Sequence, residues 1–232
     1  MIPELRVPFL KDAEIEAAAL DLLGRYAQWK GTTVDRAADV DDILENFLGI
    51  DFAVVDLPQV LGMPGRGVIG ATFFAERKIM IDQSLEGREG RLSFTLAHEL
   101  GHWELHRGIF ERMMATPSLF DASDLPSPPS IVCRTSKRPR IEIQADRFAA
   151  YLLMPAAAVR NAFRSVHGER VAMVEGLDER RTRGEFDEDL YNLAAEVSRD
   201  GGFANVSNEA MRYRLLDLRL VADAACEQPS LL

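Results

Sequence analysis

The chain has 232 residues, 47% of them hydrophobic, enough for a sizeable core and for one catalytic domain with a small appendage rather than two equal domains. Its 27 basic against 37 acidic residues leave a formal charge of −10, which argues against broad electrostatic binding of nucleic acid because the whole-chain field repels phosphate. No apolar run approaches the ~20 residues of a membrane span, and two cysteines, Cys133 and Cys226, with no charged-then-apolar leader over residues 1–10, point to a reducing cytoplasm.

In chain order, Asp12 to Trp29 carries Ile15, Ala18, Ala19, Leu22, Leu23 and Tyr26 at helical spacing and stops at Gly31-Thr32-Thr33. Val40 to Leu48 reads as a second helix closed by Gly49. Phe52 to Leu57, Gly67 to Phe74 and Lys78 to Ile81 read as three short strands, punctuated by Pro58, the 62–67 turn cluster and Glu76-Arg77. Within them, Thr72 to Ala75 is the expected edge segment for pairing with an extended peptide.

Arg91 to Arg107 reads as a helix, with Leu92, Leu96, Leu100, Trp103 and Leu105 on an apolar side. From Ile109 to Arg140, Thr116-Pro117-Ser118 and Leu125-Pro126-Ser127-Pro128-Pro129-Ser130 predict a flexible loop over about 110–140, either a lid or an insertion without a role. Inside it, Cys133 is either a small packed residue or a thiolate able to reach a metal. The basic cluster Arg134, Lys137, Arg138 and Arg140 either solvates the loop or faces an acidic partner.

Ile141, Ala145, Phe148, Ala149, Leu152 and Leu153 define a further helix ending at Pro155, followed by a helix over Ala156 to Phe163 and a charged connector from Gly176 to Asp189. Leu193 to Val197 and Asn205 to Leu218 then read as a helix-turn-helix with its second helix capped at Ser207. Three Arg against one Glu and one Asp over 205–220 leave +1 there, so DNA contact is not expected. The class is α+β with helices in the majority: a small three-stranded sheet behind the 91–107 helix, and a C-terminal helix-turn-helix-like segment. The expected domains are 1–165 and 166–232.

The chemistry is concentrated in His98-Glu99-Leu100-Gly101-His102. Four residues apart on a helix, His98 and His102 share a face with about 6 Å of axial rise between them. Two neutral imidazoles so placed suit zinc, and Glu99 beside them suits a base for the metal's water. A third ligand from the same strip would need Gly and His where Leu105 and Gly108 stand. His106 lies too far along to join both rings on one ion and is expected at the rim or in substrate contact. Downstream, Glu142 and Asp146 fall four apart on one helix face, which suits Glu142 as third ligand and Asp146 as acceptor from a ligand imidazole's outer nitrogen. Tyr151 and His167 are candidate donors to an oxyanion.

These two segments, the His-Glu-x-x-His helix and Glu142 through Met154-Pro155, resemble the ImmA/IrrE family of zinc metallopeptidases, and the resemblance spans roughly residues 42–155. It implies a zincin-like, mostly helical core, zinc held by His98, His102 and Glu142, and Glu99 as general base and acid. It further implies a cytoplasmic endopeptidase whose protein substrate is a helix-turn-helix repressor of stress, phage or mobile-element genes. The alternative is a repressor antagonist, transcription regulator or toxin-antitoxin component that keeps the metal without proteolysis.

Overall fold

The computed structural model describes residues 7–33, 39–63, 67–115, 131–134 and 139–224. They form two units, one reaching Leu152 and one built on residues from Leu153 onward.

The first unit opens with α1 (Asp12–Lys30), which buries Ile15, Ala19, Leu22, Leu23 and Tyr26. Glu14 accepts from the backbone N–H of Lys11 at its start, and Gly31 ends it in the left-handed conformation at φ 68°, where a side chain would be strained. A short α2 (Val40–Asp42) continues as a π-helical stretch, Ile43–Leu48, so the expected single helix is wound wider over most of its length.

The three expected strands are present as β1 (Asp51–Val55), β2 (Val68–Phe73) and β3 (Lys78–Asp82). A fourth, β4 (Ile131–Arg134), joins them in the order β1-β3-β2-β4. β1 and β3 run parallel, while β2 is antiparallel to both β3 and β4. The strand thought to offer a free edge is therefore interior: Thr72 is opposite Ile79 on one side and Ile131 on the other. Paired on both sides, Thr72 cannot take up a peptide as a new strand, and Phe74 and Ala75 lie in the turn that leads to β3.

β2 is buried on both faces over Gly70, Ala71 and Thr72. Ala71 packs into an apolar cluster with Leu57 and Val68, beneath the short α3 (Leu57–Val60), and Gly70 and Thr72 face the opposite way. An irregularity between Val68 and Gly70 shifts the pairing with β4 and lets Val68 and Ala71, three residues apart, share one face.

Against the Gly70 and Thr72 side lies α4 (Glu89–Ala115), longer at both ends than the expected helix. The flexible stretch expected over 110–140 is corrected accordingly: 109–115 continue the helix and 131–134 are strand, because no proline falls within either segment. Residues 116–130 and 135–138 lie outside the described residues. α5 (Arg140–Leu153) then crosses α4 at Gly101, where an added Cβ would come within 3.2 Å of Ala145 Cα, Ala145 O and Phe148 Cβ.

The second unit holds α6 (Ala156–His167), β5 (Ala172–Val174), α7 (Leu177–Arg183), α8 (Glu188–Asp200), α9 (Asn208–Asp217) and β6 (Val221–Asp223), with β5 and β6 paired in parallel. α7 occupies part of the expected connector. Ser207 caps α9 by accepting from the N–H of Ala210. The link between α8 and α9, residues 201–207, is longer than the three to four residues usual in a DNA-binding helix-turn-helix. Buried Arg214 ties the unit together, donating from Nε to the Met154 carbonyl at 3.0 Å and pairing with Asp217 at 2.7 Å. No helix among the described residues is long and apolar enough to cross a membrane.

Candidate metal centre

α4 brings His98, His102 and His106 onto one strip at i, i+4 and i+8, and this strip faces α5. His98 is 7% exposed and His102 fully buried. α5 contributes Glu142 from its first turn. Ligand-type atoms of three residues converge: His98 Nε2 lies 3.1 Å from His102 Nε2 and 3.2 Å from Glu142 Oε2, and His102 Nε2 lies 3.6 Å from Glu142 Oε1. A tetrahedral shell with bonds of roughly 2.0 to 2.1 Å has edges of about 3.3 to 3.4 Å; the separations, two of them to different Glu142 oxygens, are close to that length, and one ligand atom from each residue lies within 4.8 Å of the others. Among the described residues, His98, His102 and Glu142 are the group able to hold a metal ion.

Asp146, one turn beyond Glu142, places Oδ1 2.9 Å from His98 Nδ1. Burial alone would lower the His98 pKa, but the hydrogen bonds to Asp146 and Glu142 outweigh it and push it up to about 10. In the ion-free site this ring carries a proton between two carboxylates. His102 moves the other way, well below the ordinary histidine range, through burial and the neighbouring His98 and His106.

Glu99, fully buried, points from α4 to the sheet. Its Oε2 accepts from Thr72 Oγ1 at 2.6 Å, and its Oε1 lies so close to Gly70 that an added Cβ there would be 2.2 Å away. β2 thus supplies a donor and a side-chain-free cradle for the carboxylate. Neither Gly70 nor Thr72 carries a motif, and only the pairing of β2 with α4 reveals them.

His106 is corrected: it is not at a rim but fully buried, because the strip that carries the ligands continues under α5. Its Nδ1 is 3.0 Å from His102 Nδ1 and its Nε2 is 3.0 Å from Gln144 Oε1. Burial pushes its pKa down to about 4, against the pull of Gln144. Tyr151 is buried on α5, about 13 Å along the axis and half a turn round from Glu142, and is not aimed with it. His167 ends α6 in the second unit, exposed and packed against Phe163 with ring centroids 5.3 Å apart. The side chain of Cys133 lies outside what is described, although its backbone is opposite Gly70 in the sheet.

No curated protein matches the chain. Residues 71–175 match the family model for the IrrE N-terminal-like domain, Peptidase_M78, a stretch that includes the end of β2 with Thr72 and the whole of α4 and α5. With the His98, His102 and Glu142 cluster inside that segment, the match supports membership of the ImmA/IrrE family of peptidases over residues 71–175.

Proposed function

We propose that the protein is a zinc-dependent endopeptidase whose substrate is a helix-turn-helix repressor. The observation that carries the reading is the convergence of two imidazole nitrogens and a carboxylate near the edge lengths of a zinc shell, with a second buried carboxylate cradled beside them. His98, His102 and Glu142 hold the ion, and Asp146 fixes the His98 ring so that Nε2 faces inward. The ion, when bound, supplies a Lewis acid that polarises the scissile carbonyl and lowers the pKa of water toward roughly 7.

Glu99 does the proton work. Its carboxylate takes the proton from the attacking water and passes it to the departing amide nitrogen as the C–N bond breaks. Thr72 holds Oε2 meanwhile, which keeps the carboxylate aimed through both transfers. The repressor as substrate rests on the family resemblance, zinc on the donor set as well as that resemblance, and a cytoplasmic setting on the low cysteine count.

Incubating the zinc-loaded chain with a helix-turn-helix repressor encoded beside its gene should yield fragments. Glu99→Gln should retain zinc and stop cleavage, and Glu142→Ala should lose zinc. Cleavage by both variants at the parent rate would sink the assignment, and release of repressor from its operator without fragments would favour the non-proteolytic antagonist.

A further inference from the structure

His102 is oriented by a route unlike that of His98. The outer nitrogen of His98 meets a carboxylate directly, at Asp146 Oδ1. That of His102 meets another imidazole, His106 Nδ1, at 3.0 Å. The contacts continue: His106 Nε2 lies 3.0 Å from Gln144 Oε1, and Gln144 Nε2 donates to the Pro8 carbonyl at 2.8 Å.

The direction of this chain follows from its last member. A peptide carbonyl only accepts, so Gln144 must turn its amide nitrogen to Pro8 and its oxygen to His106. That oxygen requires a proton on His106 Nε2, and a neutral His106 then has a lone pair on Nδ1. The lone pair in turn requires a proton on His102 Nδ1, leaving the Nε2 lone pair of His102 free to face His98 Nε2 and Glu142. Without this constraint a neutral imidazole favours the opposite tautomer, with its proton on Nε2 and no lone pair for an ion.

We propose that His106 and Gln144 are positioning residues that lock His102 in its metal-binding tautomer through a neutral relay anchored on the Pro8 carbonyl. The inference rests on the metal site described above. A neutral relay suits the place. His102 and His106 are both fully buried and Gln144 is 3% exposed, so a carboxylate in the position of His106 would bring an additional charge out of water. The relay also ties residues 102 and 106 on α4, 144 on α5 and the segment before α1 into one hydrogen-bonded line, Gln144 and Pro8 being 136 positions apart.

The test is zinc affinity of the full chain, measured by competition with a chromophoric chelator, together with the His102 tautomer read by long-range proton-nitrogen correlation in the zinc form. His106→Leu removes the acceptor at nearly constant volume. His106→Asn places an amide oxygen near the former Nδ1. Loss of such an outer partner typically weakens metal binding about 10- to 100-fold, the expected result for Leu, whereas Asn should stay within about threefold of the parent because its oxygen still accepts. If the Leu variant fails to fold, Gln144→Met takes its place, expected to weaken zinc about 3- to 10-fold because His106 loses the acceptor that fixes its ring. Parent-like affinity in both Leu and Met variants, or equal losses in Leu and Asn, overturns the relay. An unmodified chain that takes up no zinc overturns the metal site itself, a different result from a zinc-binding chain indifferent to His106.

Discussion

Gly70→Ala tests how closely the sheet controls Glu99. Its Cβ would arrive 2.2 Å from Glu99 Oε1 and 2.9 Å from Cδ, where a carbon-to-oxygen contact needs about 3.3 Å. One side must therefore move by about 1 Å. Gly70 is held in the ladder opposite Ile81 and Cys133, so the side chain yields first and drags Oε2 from Thr72. A misplacement of about 1 Å in a catalytic group costs on the order of 100-fold in rate, equivalent to about 2.7 kcal/mol in the barrier. Zinc content should be unchanged, since Glu99 is not a ligand. The assay is cleavage rate of the repressor at saturating zinc, with metal stoichiometry measured in parallel. Thr72→Val is the companion variant, keeping shape while removing the 2.6 Å bond; loss of a charge-assisted hydrogen bond of about 1.5 kcal/mol predicts roughly a tenfold fall. Parent-like rates in both variants would refute the idea that β2 positions the base.

Three further outcomes are expected. Gly101→Ala should force α4 and α5 apart, since its Cβ would meet Ala145 Cα and the Ala145 carbonyl at 3.2 Å; overpacking of this kind costs about 1–3 kcal/mol, read as a lower melting temperature together with weaker zinc binding because the ligands sit on both helices. Zinc uptake at pH 7 should release a proton from His98, whose pKa is about 10 in the ion-free site, so apparent affinity should climb with pH up to that value; calorimetry in buffers of different ionisation enthalpy measures it, and heats independent of buffer would contradict it. Asp42 accepts from Lys30 at 2.6 Å, from Tyr26 and from Asn46 at 2.8 Å, which lowers its pKa from 3.8 to about 2. A carboxyl depressed in the folded state stabilises above its unfolded pKa and loses that contribution as pH falls toward its folded one, so Asp42→Asn should flatten the loss of stability between pH 4 and pH 2 in denaturant titrations.

Local spacing was enough to expose the residues of the cluster able to hold an ion. His98, His102 and the Glu142 and Asp146 pair each lie four residues apart, and the helix period alone puts each pair on one face. Secondary structure was legible for a similar reason: burial recurs at 3.6 residues in α1 and α5, and breakers such as Gly31, Gly49 and Pro155 stand where elements stop. Helix length was less so, because nothing between Arg107 and Ala115 stops α4, and proline-rich neighbours made a helix end and a strand look like one loop.

Contacts across long separations belong to the tertiary structure. That β2 is interior depends on β4 arriving from 60 residues downstream, which no alternation within Val68–Phe73 announces. Thr72, Gly70 and the His106, Gln144 and Pro8 line have no periodic signature either, since each is defined by a partner that only packing brings near. Sequence determined which side chains could bind an ion; the fold decided which neighbours orient them, because hydrogen bonds and close approaches depend on positions in space rather than on order along the chain.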